Sequence, residues 1–196
     1  MRRPVVAALR AALVTAGLAT GGVAISGAVA ADGPAADRSA ATTAAAAAAG
    51  KASMAIADLN AVRLTMRKSR GRTLLVHFWA SWCLPCLQEL PVINRFAQDM
   101  KAKGVDVLSL SLDNPEAVNR VEKLLNETAP ALTPTIVKVD DADAFITAFD
   151  ARWEGSIPAL FAYDGQGRLR ARHIGEATRR ELDRLVADAS NAAKVK

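Results

Sequence analysis

Cysteine is almost missing from these 196 residues: there are two, Cys83 and Cys86, with two positions between them. A structural disulfide framework uses more cysteines at wider spacing. A bridge closing so short a loop also adds little stability through chain entropy, so stapling does not explain the pair. Histidine is equally scarce, with only His77 and His173. A zinc site normally takes four ligands, and two thiols with two distant histidines, one inside an expected strand, make a poor set. No metal site and no cofactor is expected. Aromatic residues are few and do not interleave with basic ones, which removes a nucleic-acid surface. Long runs of Leu and Ile are also lacking: the one extended apolar stretch, Ala11 to about Ile25, is built from Ala and Gly and would partition weakly into lipid. No repeat at a solenoid period occurs.

The N-terminus carries Arg2, Arg3 and Arg10 without an acid, then that small-residue run, then Ala28-Val29-Ala30. This is the three-part layout of a secretory signal peptide over residues 1–31, with an uncleaved membrane anchor as the alternative. No cysteine lies near the cleavage site, so a lipid-modified N-terminus is not expected. Residues 32–52 are dominated by Ala and have no apolar stripe to bury, which reads as a linker. Residues 53–193 have the size of one domain with a sizeable core. Three of the cations behind the formal charge of +5 are leader arginines. The remaining basic residues are spread among acids, apart from a cluster over Arg63–Arg72. Export implies an oxidising compartment, where a lone close cysteine pair is better explained by chemistry than by structure.

Within the domain, Thr73–Trp79 is β-branched and apolar on both faces, as a central buried strand should be. Leu84–Lys103 has helical spacing, with Pro91 expected to kink it. Val105–Asp113 reads as a second strand. Asn114-Pro115-Glu116 predicts an N-cap with Pro at the first helical position, opening a helix with Val118, Val121, Leu124 and Leu125 on one face. A short strand at Thr135–Val139 and a helix at Asp141–Phe149 follow. Ala159–Tyr163 and Arg168–Ile174 flank the turn signal Asp164-Gly165-Gln166-Gly167, and Glu181–Ala189 closes as a helix. The order predicts an α/β fold whose mixed central sheet is parallel first and ends in an antiparallel hairpin, with helices on both faces.

Phe78-Trp79-Ala80-Ser81-Trp82-Cys83-Leu84-Pro85-Cys86 leaves the buried strand and opens the helix. Cys83 then falls at a helix N-terminus, where free N–H groups and the macrodipole favour a thiolate by about 0.3–2 kcal/mol. That is enough to produce a nucleophile. Cys86, one turn further in, is placed to resolve a mixed disulfide formed at Cys83. Trp79 suits core packing, Trp82 is a candidate shield for the sulfur, and Pro85 suits the helix start.

These residues resemble the thioredoxin superfamily and, within it, the TlpA/ResA-like group of exported reductants. The likeness spans nearly all of 53–193. It rests on FWASWCLPC, on the continuation Leu87-Gln88-Glu89-Leu90-Pro91, on Gly155-Ser156-Ile157-Pro158, and on the final hairpin. The resemblance implies a thioredoxin-like fold and a cis bond at Ile157–Pro158, with Pro158 facing the cysteines and Ile157 offering backbone groups to a substrate polypeptide. It also implies a role for Glu89 near the active site, tuning thiolate formation; a solvated helix residue is the alternative. Thioredoxin itself carries a buried acid where this chain has His77. Two readings follow: His77 accepts the proton of Cys86 during resolution, or it is a hydrogen-bonded core histidine.

Leu84 donates nothing to a thiolate, unlike the residues between the cysteines of strong oxidants, and no inserted helical domain is evident. A reducing pair is therefore expected. Its partners would be disulfide-containing exported proteins, with apocytochrome c as the group's best-known substrate, and a membrane thiol-electron donor; its location would be periplasmic or extracytoplasmic. A copper-site thiol reductase or metallochaperone for a respiratory oxidase is the competing function. A peroxidase of related fold ranks last, because those enzymes use T-x-x-C and this chain has a cysteine at both ends.

Overall fold

Residues 54–133 and 135–191 are described by a computed structural model. The expected leader and linker, 1–31 and 32–52, lie outside the described residues. The chain runs β1 (Ala55–Ala57), α1 (Leu59–Lys68), β2 (Thr73–Trp79), α2 (Leu84–Lys101) and β3 (Val105–Ser111). A 3-10 turn (Pro115–Ala117) leads into α3 (Val118–Thr128), then β4 (Thr135–Val137), α4 (Ala142–Phe149), β5 (Ala159–Tyr163), β6 (Leu169–Ile174) and α5 (Arg179–Asn191). The strands form one sheet in the order β1-β4-β3-β2-β5-β6. The first four are parallel; β5 runs antiparallel to β2, and β6 antiparallel to β5.

The pleat of β2 divides the interior into two cores. Leu75 and Trp79 pack with Leu90, Ile93 and Phe96 of α2, Val121 and Leu125 of α3, and Leu182 and Leu185 of α5. Leu74, Val76 and Phe78 point to the other face, against Val62 of α1 and Phe145 and Phe149 of α4. Both faces are therefore covered by helices, as expected for a largely parallel sheet. Phe78 sits at the middle of the second core, with ring centroids of Phe149, Trp153, Phe145 and Phe161 at 4.7, 4.9, 5.7 and 5.8 Å.

Two local differences from the sequence reading have physical causes. β1 and α1 were not expected, because a three-residue strand has almost no pattern and α1 buries only Val62. Asp58 starts α1, its side chain accepting from the Ala61 N–H at 2.7 Å. Asn114 makes no side-chain cap: the chain enters α3 through the 3-10 turn, with its first bond running from Ala117 N–H to the Asn114 carbonyl. Pro91 lies inside α2, which continues to Lys101. No described helix is long and apolar enough to cross a membrane.

Candidate active site

Cys83 is the N-cap of α2, in extended backbone conformation (φ −92°, ψ 101°), and Pro85 occupies the first turn where no N–H is needed. Cys83 and Cys86 are joined as a disulfide with their Cα atoms 5.2 Å apart. The Cys86 N–H points at Cys83 Sγ, 3.3 Å away, so the helix N-terminus presents a donor to the sulfur that would carry charge after reduction. Cys86 is fully buried and Cys83 is 7% exposed, so Cys83 is the less buried of the two. Trp82 and Leu84, on either side of Cys83, are 68% and 66% exposed. Trp82 is thus an open surface next to the pair rather than a packed cover.

The Ile157–Pro158 bond is cis, and the Ile157 carbonyl oxygen lies 3.9 Å from Cys83 Sγ. The structure therefore brings together the motif after β2 and the motif before β5, 74 residues apart in sequence. Two interactions hold the second motif. Trp153 Nε1 donates to the Ser156 carbonyl at 2.9 Å, and Gly155 takes φ +79°, where an added Cβ would come within 2.8 Å of Ile146 Cδ1.

Beneath the cysteines, Glu89 is not solvated; it is 1% exposed and His77 is wholly buried. Glu89 Oε1 lies 2.8 Å from His77 Nε2, and Glu89 Oε2 accepts the Ala177 N–H at 2.7 Å. His77 Nδ1 is 3.2 Å from Ser109 Oγ. With Glu89 as carboxylate, Nε2 carries the hydrogen and Nδ1 accepts from the Ser109 hydroxyl. This row ties β3, β2, α2 and the loop before α5 together. Its histidine partners are Glu89 and Ser109, neither of them a sulfur.

The loop carrying Trp82 has an anchor the sequence reading missed. Asp113, just beyond β3 and 2% exposed, accepts from Ser81 N–H at 2.8 Å, Ser81 Oγ at 2.6 Å and Ser111 Oγ at 2.7 Å. The available signal was an acid closing a strand-like segment in which Ser and Leu alternate, VDVLSLSLD.

Comparison with known proteins agrees with this geometry. The Redoxin family model matches residues 35–192. Thiol-disulfide oxidoreductase ResA of a Bacillus cereus strain is 27% identical over 132 residues, covering 67% of this chain and 71% of that protein. ResA of Geobacillus kaustophilus is 28% identical over 129 residues, covering 66% and 70%. A crystal structure of a thiol:disulfide interchange protein, thioredoxin family, from Chlorobium tepidum TLS covers 62% of this chain and 82% of its own at TM-score 0.52 and 22% identity. That last likeness is one of fold.

Proposed function

The chain belongs to the Redoxin family, and from that premise we propose that it is an exported thiol–disulfide oxidoreductase that reduces disulfides of other exported proteins through Cys83 and Cys86. One observation carries the reading: a disulfide at a helix N-terminus whose less buried cysteine faces the carbonyl before a cis-proline. ResA-like relatives with the name thiol-disulfide oxidoreductase support the reaction class.

The chemistry starts from the dithiol. The Cys83 thiolate attacks one sulfur of the substrate disulfide, a new S–S bond forms, and the other substrate sulfur leaves as a thiolate and takes up a proton. Cys86 loses its proton and attacks Cys83 Sγ, which releases the second substrate thiol and closes the Cys83–Cys86 disulfide. Two electrons have then passed to the substrate, and a membrane thiol-electron donor restores the pair. Ile157 offers backbone groups along which a substrate strand aligns. Trp82 and Leu84 contribute exposed apolar surface beside the reacting sulfur. A periplasmic location and apocytochrome c as substrate rest on the leader-like N-terminus and the family likeness. The copper reading needs a histidine near the thiols, and His77 is instead engaged by Glu89 and Ser109.

The test is substrate trapping. Cys86→Ala should accumulate mixed disulfides at Cys83 that dithiothreitol releases, whereas Cys83→Ala should trap nothing and lose insulin reduction. Trapping by neither variant, with insulin untouched by the native protein, sinks the reading. A reduction potential more negative than about −170 mV is expected on the scale that runs from thioredoxin to DsbA, measured by equilibration with a glutathione or dithiothreitol couple.

A further inference from the structure

The cluster Arg63–Arg72 takes no part in the redox site, and the fold gives it company. Because β1 to β4 are parallel and α1 and α2 run back against them, the last turns of both helices and the loops after them collect at one end of the sheet. The contacts there are direct. Gly71 N–H donates to the Gly165 carbonyl at 2.8 Å, Arg72 Nη2 to the Lys101 carbonyl at 3.0 Å, and Thr73 N–H to the Gly104 carbonyl at 3.1 Å. Arg67, Lys68, Arg70, Lys101, Lys103 and Arg168 are all exposed at this end. Of the carboxylates close by, Asp106 pairs with Arg72 and the buried Asp164 with Arg168 and Arg170; Asp188, two residues before the Ser190 that meets Thr73, is exposed, and the cations outnumber it. Among the described residues, Arg63, Arg67, Lys68, Arg70, Lys101 and Lys103 form no ion pair.

Complementing the helix macrodipole accounts for cations in the last turns of α1 and α2. It does not account for Arg63 in the first half of α1, for Arg70 and Lys103 in loops, or for Leu64, which stands 52% exposed between Arg63 and Arg67. Arg63, Met66, Arg67 and Arg70 follow helical spacing, and with Leu74, Tyr163 and the already paired Asp164 they line a cleft of about 170 Å³ in which three cations flank apolar side chains. The chain also enters the domain here. Ala55, at the start of β1, lines one cleft together with Thr65, Ser69 and Lys101. The redox pair is at the far end: Cys83 follows the other terminus of β2, a seven-residue strand spanning about 20 Å.

We propose that this basic end of the domain docks on an anionic lipid bilayer, with guanidinium and ammonium groups on the headgroups and Leu64 in the interface, so that Cys83 and Trp82 face away from the membrane. Basic side chains around an exposed apolar one are the pattern of an interfacial helix. Ala55, among the first described residues, lies at this same end, and the sequence before it holds the Arg-led apolar stretch that serves as an anchor if it is left uncleaved, which favours a membrane over a soluble polyanion. Attraction to anionic lipid is additive over charges and short-ranged, so it needs cations gathered on one surface, as they are here.

The experiment uses the full chain with sucrose-loaded vesicles of phosphatidylcholine alone or mixed with phosphatidylglycerol. The triple variant Arg67→Gln, Lys68→Gln, Arg70→Gln should bind the anionic vesicles on the order of a hundredfold more weakly than the native chain. It should match it on neutral vesicles and reduce insulin in solution at the native rate. The N-terminal stretch is common to both, so the difference reports the surface alone. Arg63→Gln with Lys103→Gln, on separate segments, should weaken binding in the same direction. The three tryptophans, Trp79, Trp82 and Trp153, all lie toward the redox end, so brominated lipids should leave the emission unquenched on anionic vesicles. Equal binding by the native chain and either variant overturns the proposal, as does native binding that ignores lipid charge, strong quenching of the tryptophan emission, or tighter native binding to a nucleic-acid duplex than to anionic vesicles. Loss of insulin reduction by the native protein would touch the oxidoreductase reading and leave this one standing.

Discussion

The cysteines were legible because their chemistry is local. Three positions, a helix start and a flanking strand suffice to place one sulfur at an N-terminus and the other one turn inside. Glu89 and His77 were singled out separately, yet their mutual hydrogen bond was not legible. It depends on how α2 lies across β2, and nothing in a spacing of twelve residues encodes that. The pairing makes His77 mutable with a definite cost. His77→Ala leaves a buried Glu89 with the Ala177 N–H alone and opens a cavity, which should cost about 2–4 kcal/mol in urea unfolding. Ser109→Ala, which removes a single hydrogen bond to His77, should cost about 1 kcal/mol. For the reaction, His77→Asn tests the proton-acceptor role in single-turnover resolution of the mixed disulfide. A rate unchanged between pH 6 and 8 would assign His77 to the core alone.

At the scale of elements, the hairpin turn after β5 shows both what pattern predicts and what it omits. Asp164-Gly165-Gln166-Gly167 announces a turn, but not that Asp164 becomes a buried hub accepting from Gln166 N–H, Arg168 N–H, Arg168 Nε and Arg170 Nε. Burial pushes its carboxyl up, and those donors outweigh burial and bring it down from 3.8 to about 2. A depressed folded-state value stabilises the fold above the unfolded value and is lost as pH falls from about 4 through about 2. Asp164→Asn should therefore cost roughly 2 kcal/mol at neutral pH, and the gap between native and variant unfolding midpoints should close as the pH is lowered. A gap that stays constant from neutral to strongly acidic pH contradicts the assignment. The loop before β5 offers a second case. Gly155→Ala meets both a positive φ and Ile146 Cδ1, and should destabilise by about 1–2 kcal/mol. Adding Ile146→Val should recover only the part due to contact, because the backbone strain remains.

Across the whole molecule, the sheet separates a redox core from a structural one, and this division was only half legible. The apolar run on both faces of Thr73–Trp79 foretold two buried faces, but which helices cover each face follows from topology that includes β1 and α1, the two elements too short or too polar to announce themselves. The redox face holds Cys83, Cys86, Trp79 and Leu90 in one packed cluster; the aromatic face, around Phe78, lies behind the strand. Trp79, in the redox-side cluster, is fully buried, and among the described residues its Nε1 has no hydrogen-bond partner. Substitutions on the two faces should then differ in kind. Phe145→Leu removes the edge contact to Phe78 and should lower stability by about 1–2 kcal/mol, while insulin reduction per folded molecule stays at the native value. Leu90→Ala opens a cavity in the cluster that seats the disulfide; it should cost about 2–5 kcal/mol and shift the reduction potential, since oxidised and reduced pairs pack differently against the space left behind. Measuring both variants by denaturant unfolding and by redox equilibration separates the effects. A changed potential in Phe145→Leu, or an unchanged one in Leu90→Ala, would mean that the sheet does not insulate its two faces.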